Sequence, residues 1–339
     1  MFNSKNSACP VSCRVSALLL TLGLTGLFVA HGRAEKIRTA IPQATLNYLS
    51  VYVAEQKGFF REEGLENETV VISGPRATAA LLSGDVDYSG AGGSGMRAAV
   101  KGAPVKAIMF QTEKVTWYLV ADPSVTRPSD LKGKKVAVGS IGDTQDRLTT
   151  MFVERAGLSP RDITRITMGP STAARILAIK TGSVQGATMD PGGAVVAEKE
   201  GLTILAFLGD LFPFPFQGFV TTDKNLGENP AQIKRWLRAI LRGLLFVRER
   251  PEEASDIGMK KLQLGRINRT MLLTGIQRYI RALPEGVPGL PSPEGLKNVL
   301  EYDVRIPMNI KEQVPPDKVL NLKFIEEVKK EMEGKRLGK

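Results

Sequence analysis

One supersecondary pattern occurs twice in this chain, and it restricts the available folds more than any other feature. Residues 73–93 read SGPRATAALLSGDVDYSGAGG, a turn, a short helix, a second turn and a buried strand ending in glycines. A weaker copy, residues 168–191, reads MGPSTAARILAIKTGSVQGATMDP. Gly74, Pro75, Ala79 and Leu82 recur at one offset as Gly169, Pro170, Ala174 and Leu177. After a short insertion, Gly84 and Val86 recur as Gly182 and Val184. A unit used twice predicts two similar lobes, and two lobes predict a cleft between them. The 339 residues suffice for two cores and are short for three.

The first 34 residues are of a different kind. Lys5 and Arg14 open them, residues 15–30 are all apolar or small, and Gly32 and Ala34 sit at the −3 and −1 positions of a cleavage site. This is the pattern of a secretory signal peptide cut after Ala34, with an apolar run too short for a convincing membrane span. No twin arginine precedes that run. Both cysteines, Cys9 and Cys13, and the single histidine, His31, lie inside it, so residues 35–339 contain neither thiol nor imidazole. Disulfides, zinc sites with sulfur or nitrogen ligands, and Ser-His-Asp or Cys-His catalysis are thereby excluded from the exported chain. Both cysteines precede the apolar run, where a lipid-modified cysteine would follow it, so a free periplasmic protein is expected.

The leader carries Lys5, Arg14 and Arg33 and no acid, and its removal leaves +8 of the +11 net charge. That excess is spread thinly and no basic run is interleaved with aromatics, so a solvated basic surface is expected rather than nucleic-acid binding.

In chain order, residues 36–41 read as a strand, and Tyr48, Leu49, Tyr52 and Val53 share one face of a helix ended by Gly58. A strand at 69–72 completes a βαβ unit, predicting parallel pairing. The repeated unit follows, with a helix at 76–83. Its strand leads into Gly90, Gly92, Gly93 and Gly95 ahead of a helix at 96–101. These glycines either open backbone N–H groups to a ligand or serve only a tight turn; a P-loop or G-x-G-x-x-G context is missing. Strands are expected at 105–110 and 116–121, and the polar stretch 122–128 is the candidate first crossing between lobes. The second lobe opens with DLKGKKVAVGS, a strand at 136–138, and a helix at 144–156 capped by Asp143 or Thr144. A strand at 164–168, the echo, a strand at 186–189 and a strand at 203–208 follow. FPFPF at 212–216 cannot be helical and reads as a rigid return crossing, with Phe214 or Phe216 touching the cleft. A strand at 217–221 returns the chain to the first lobe. Past Pro230, Ile233, Trp236, Leu237, Ile240, Leu241 and Leu244 form the buried face of an amphipathic helix. Further helices are expected at 269–283 and 321–333, with a frayed basic tail after Met332.

VYVAEQKGFFREEGL, GPRATAALLSGDVDYSGAGG, DLKGKKVAVGS and the helix after ENPAQIKRW, in that order, resemble a substrate-binding protein of a bacterial ABC importer. More narrowly, they resemble the branch that binds nitrate, sulfonates, taurine and thiamine precursors. The likeness extends to about residue 255 and is looser beyond. It implies a type II periplasmic binding protein: a two-lobed α/β fold with two crossings, closing on its ligand by hinge motion. Its domains would be lobe 1 at 35–122, lobe 2 at 123–216, and a return to lobe 1 with C-terminal helices at 217–339. Carried onto this chain, the ligand positions are Thr45 and Asn47, Gly74 and Arg76, Gly93 and Ser94, Trp117, Ser140, Thr144, and Asp190. Arg76 could pair with an anion bidentately or be a surface arginine; Trp117 could stack on a ligand or fill the core; Asp190 could face the ligand or cap a helix.

The resemblance implies a receptor without chemistry, metal or cofactor. It would be a monomer that delivers a small polar ligand, anionic in many members, to an inner-membrane permease. Enzymes resembling the yeast-type pyrimidine synthases for thiamine are the competing class, and their chemistry needs the histidine and cysteine that residues 35–339 lack. A carboxylate-only enzyme has no paired-carboxylate signature here. A sensing subunit for a membrane kinase is a third reading.

Overall fold

The computed structural model describes residues 34–169, 171–262 and 267–337, and residues 34–339 form one compact unit. The leader with Cys9, Cys13 and His31, and Pro170 of the echo, lie outside the described residues.

Ten strands make two five-stranded sheets of the same design. The first contains β1 (Glu35–Ile41), β2 (Leu65–Val71), β3 (Tyr88–Ser89), β4 (Val105–Thr112) and β10 (Phe216–Thr222), in the order β2-β1-β3-β10-β4. The second contains β5 (Tyr118–Ala121), β6 (Lys135–Val138), β7 (Thr164–Thr167), β8 (Gly186–Met189) and β9 (Thr203–Phe207), in the order β7-β6-β8-β5-β9. In each, a parallel trio is flanked by one antiparallel strand next to the edge: β10 in the first sheet, β5 in the second. The duplication expected from the repeated unit is therefore a duplication of topology. Each antiparallel strand immediately follows a crossing, so each lobe is completed by chain arriving from the other.

That exchange moves the first crossing. β5 pairs Tyr118 with Met189 and with Phe207, inside the second sheet. The chain thus passes between sheets within 113–117, not at 122–128, and the strand expected to close the first lobe opens the second. Alternating hydrophobicity marks a strand but not the sheet that receives it. The second crossing, 208–215, agrees with the FPFPF reading, and Phe212, Phe214 and Phe216 are all buried.

The helices that matter to the cleft are α1 (Leu49–Gln56), α2 (Gly74–Ser83), α3 (Gly92–Val100), α4 (Thr144–Arg155), α5 (Thr172–Lys180), α6 (Pro191–Lys199), α7 (Pro230–Glu249) and α8 (Arg269–Ile280). α3 starts inside the glycine cluster, earlier than the sequence suggested. Gly92 and Gly95 serve proximity rather than a turn: a Cβ on Gly92 would stand 2.5 Å from the carbonyl oxygen of Gly218, and one on Gly95 2.7 Å from Val220. α7 buries the expected face, with Ile233, Trp236, Leu237, Ile240, Leu241 and Leu244 inaccessible, and crosses α1 where Gly243 meets Ser50.

The C-terminal part is not confined to the first lobe. α8 packs on α6 of the second lobe, with Gly275 against Gly192. A π-helical turn, Leu300–Arg305, reaches α3 and inserts between the lobes. The last helix runs Lys323–Leu337, through the tail expected to fray.

Candidate functional site

The lobes meet along the carboxyl ends of their parallel strands, where open α/β sheets bind ligands. The cavity between them is small, ≈ 40 Å³. Its walls are Pro42 and Gln43 after β1, Tyr48, Gly74, residues 90–94, Phe110 and Trp117. Residues 215–218 of the return crossing and β10 belong to the same side, Asp143, Thr144 and Gln145 at the head of α4 face them from the second lobe, and Asp303 completes the lining. Four aromatic residues, two carboxylates and three glutamines thus line a narrow slot, and among the described residues no lysine or arginine lines it.

The first lobe contributes a chain of hydrogen bonds behind the aromatic wall. Tyr279 Oη donates to Gln217 Oε1 (3.3 Å), Gln217 Nε2 to Thr116 Oγ1 (2.7 Å), and Thr116 Oγ1 to Asn47 Oδ1 (2.8 Å). Gln217 is held at φ 52°, a left-handed conformation unusual for a residue other than glycine. Such strain persists where the surroundings over-determine it, and binding sites are where it collects. Thr45 Oγ1, Asn47 Nδ2 and Trp117 Nε1 are buried here without a partner among the described residues. An unpaired buried donor costs about 1–3 kcal/mol, and Trp117, which carries one, is also a lining residue of the slot.

The second lobe contributes two capping aspartates and one buried arginine. Asp143 caps α4, accepting from Asp146 N (2.8 Å) and Ser140 N (2.7 Å). Asp190 caps α6, accepting from Gly193 N (2.8 Å), and its second oxygen accepts from Leu46 N of the other lobe (2.6 Å). Asp190 therefore caps a helix, one of its two sequence readings, ties the lobes together, and is not among the residues that line the slot. Arg175 Nη1 donates to Gln145 Oε1 (2.9 Å) and Thr188 O (2.6 Å), and Nη2 to Met168 O (3.0 Å). Gln145 Oε1 also accepts from Thr188 Oγ1 (2.7 Å), so Gln145 has its Nε2 donor to offer the slot. Burial pushes Asp143 and Asp190 each up to about 6, opposed by their backbone donors and by Arg175. Burial likewise lowers Arg175 to about 10 while those two carboxylates hold it up.

A raised carboxyl pKa means that the folded state binds protons more tightly than the unfolded chain, whose Asp titrates near 3.9. The stability carried by these two groups is therefore present below about pH 4 and is lost as pH rises through about 6. Urea denaturation midpoints are expected to be higher at pH 5 than at pH 7.5, and Asp143→Asn should flatten that difference. A midpoint that climbs from pH 5 to 7.5 would contradict this assignment.

Of the positions carried over from the resemblance, Gly74, Gly93, Ser94, Trp117 and Thr144 line the slot. Thr45, Asn47 and Asp190 are buried just behind it, and Ser140 contributes its backbone N–H to Asp143. Arg76 is exposed and is not among the residues that line the slot. The helix α2 turns that side chain to solvent, and its buried face is Ala77, Thr78 and Leu81. Gln145, Gln217 and Asp303 were missed. Gln217 had a faint signal, following FPFPF directly; Asp303 had only its place between Tyr302 and Val304 in a charged run.

Among proteins of similar sequence is the riboflavin-binding protein RibY of Chloroflexus aurantiacus, 25% identical over 233 residues, 65% of this chain and 65% of RibY. Another is the 4-amino-5-hydroxymethyl-2-methylpyrimidine phosphate synthase of Candida albicans, 29% identical over 258 residues, 65% of this chain and 73% of that protein. Among solved structures, the periplasmic aliphatic sulphonate binding protein SsuA of Escherichia coli superposes with a TM-score of 0.64 at 19% identity. That match covers 85% of this chain and 92% of SsuA, and the two share their fold. The model of one family, NMT1/THI5 like, matches residues 45–254, a span that holds every strand but β1, both crossings and all of the slot but Pro42, Gln43 and Asp303, and the chain belongs to that family.

Proposed function

We propose that this protein is the solute receptor of an ABC-type importer, exported to the periplasm, and that it closes its two lobes on a small, flat heteroaromatic ligand that is neutral or cationic. The lining of the slot carries this reading: Tyr48, Phe110, Trp117 and Phe216 bound a thin space, and the charged groups facing it are carboxylates. Aromatic faces favour a planar ring, and Trp117 Nε1 and Gln145 Nε2 supply donors for ring nitrogens or carbonyls. Asp143 accepts from a ring or exocyclic N–H. A sulfonate would meet these carboxylates without a cation in the lining. The names of RibY and of the pyrimidine synthase agree with a heteroaromatic class. The SsuA-like fold makes sulfonates the competing class.

The reading includes no chemistry. Residues 35–339 contain no cysteine or histidine, and the carboxylates of the slot serve as helix caps and lobe contacts. Native mass spectrometry of protein prepared gently from periplasm is expected to find an unmodified heteroaromatic compound. A melting-temperature screen of flavins and aminopyrimidines against alkanesulfonates and nitrate should show shifts with the former, since a ligand stabilises the state it binds. Turnover of any bound compound, or shifts from sulfonates alone, would sink the proposal. Trp117→Phe keeps a ring but removes the donor, and is expected to weaken binding roughly 5- to 150-fold by calorimetry, as loss of one buried hydrogen bond of about 1–3 kcal/mol does.

A further inference from the structure

Asp303 comes from the π-helical turn Leu300–Arg305, far along the chain from the other walls of the slot, yet its carboxylate lies at the junction of the lobes. Arg97, on α3 of the first lobe, donates through Nη1 to Asp303 Oδ1 (2.5 Å) and to Asp303 O (2.7 Å), and through Nη2 to Gly142 O of the second lobe (3.1 Å). The Thr144 hydroxyl, at the first residue of α4, stands beside the same carboxylate, both of them against Gly93. Gly93, in the first turn of α3, is so near Asp303 Oδ2 and Thr144 Oγ1 that a Cβ there would overlap both. Arg97 and Asp303 are each more than nine-tenths buried.

Two helix N-termini, a guanidinium and a hydroxyl converge on this one point. Partial positive charge at helix starts and a charge-assisted donor fork are what an exogenous oxyanion requires. Here the chain supplies the oxyanion itself. We infer that Asp303 is a tethered anion that fills an anion-compatible position of the cleft, so that it excludes free anionic solutes there and restricts the receptor to ligands without a negative group at that end. The same carboxylate bridges the lobes, because its neighbours Arg97 and Thr144 belong to different ones. Asp303 is thus a specificity-determining residue supplied by the C-terminal segment, outside the span matched by the family model.

This inference deepens the functional reading above, resting on it for the location of the ligand but not for its ring chemistry. Removing the carboxylate leaves Arg97 its bonds to the main-chain oxygens of residue 303 and Gly142, and vacates the acceptor position between Arg97, Thr144 and the first turn of α3. Asp303→Ala is expected to melt lower than wild type in anion-poor buffer. Methanesulfonate or formate should raise its melting temperature saturably, with affinity at least about tenfold above that of wild type. Asp303→Ser, which retains a small acceptor for Arg97, provides a folded alternative should the alanine variant not fold, and is expected to show the same gain. Circular dichroism establishes that each variant is folded. Folded variants with no gain over wild type, or a wild-type protein that binds methanesulfonate as tightly as they do, would overturn the role given to Asp303. Failure of heteroaromatic compounds to bind wild type would instead count against the functional reading, and the anion gain of the variants would be unaffected by it.

Discussion

Arg175→Met is expected to lower the unfolding free energy by roughly 3–5 kcal/mol at pH 7.5, the cost of breaking a buried ionic arrangement from one side. The guanidinium is 2% exposed and is the cation closest in effect to both Asp143 and Asp190. Three of its bonds hold Gln145, Thr188 and Met168 in place, so its loss orphans acceptors as well as charges. Methionine has a similar length and no charge, which isolates the electrostatic part from simple loss of volume. Acid should relieve the defect. Without Arg175 the two carboxylates favour their neutral forms still more strongly, so the penalty at pH 5 should be smaller than at pH 7.5. Urea denaturation at both values tests this, and a loss below about 1 kcal/mol at pH 7.5 would show that Arg175 does not hold the second lobe's side of the slot together.

Trp236→Ala is expected to cost a similar amount, roughly 3–5 kcal/mol, by a different physical route. Trp236 is wholly buried, stacks on Tyr88 at 4.2 Å between centroids, and meets Phe219 edge-on at 5.0 Å. Its Nε1 donates to Thr39 Oγ1 (3.0 Å), which joins α7 to β1. Alanine leaves a cavity among β1, β3 and β10 that close packing of the sheet cannot collapse. Because the term is apolar, the loss should be nearly the same at pH 5 and pH 7.5. A pH-dependent loss would show that the substitution had disturbed the ionic side of the protein instead. Trp236→Phe, which keeps most of the ring, should cost less than half as much.

These two residues also mark how far the chain could be read in advance. Trp236 was legible because a helix repeats its buried face every three or four residues, and Ile233, Trp236, Leu237 and Ile240 keep that spacing. Arg175 was not, although it lies inside the echo that was noticed first. The matched residues of that echo, Leu82 and Leu177, are on the exposed faces of α2 and α5 at 45% and 63% accessibility. The buried face of α5 carries Arg175 where α2 has Ala80, and a single arginine in a helical pattern reads as a solvent contact. Arg76 was the converse case, a conspicuous charge at a helix start that the fold leaves in water.

The sequence alone determined the two-lobed α/β design, the repeated βα units, the buried face of α7, the return crossing at FPFPF, and the absence of thiol and imidazole from residues 35–339. Each of these depends on local periodicity or on composition, which neighbouring residues express without reference to the rest of the chain. The tertiary structure alone decided which sheet received β5, which arginine was buried, and that Asp303 stands at the mouth of α3 and α4. Those outcomes depend on contacts between segments as far apart as Arg97 and Asp303, and the free energy of such contacts comes from desolvation and charge pairing that exist only once the lobes have closed on each other.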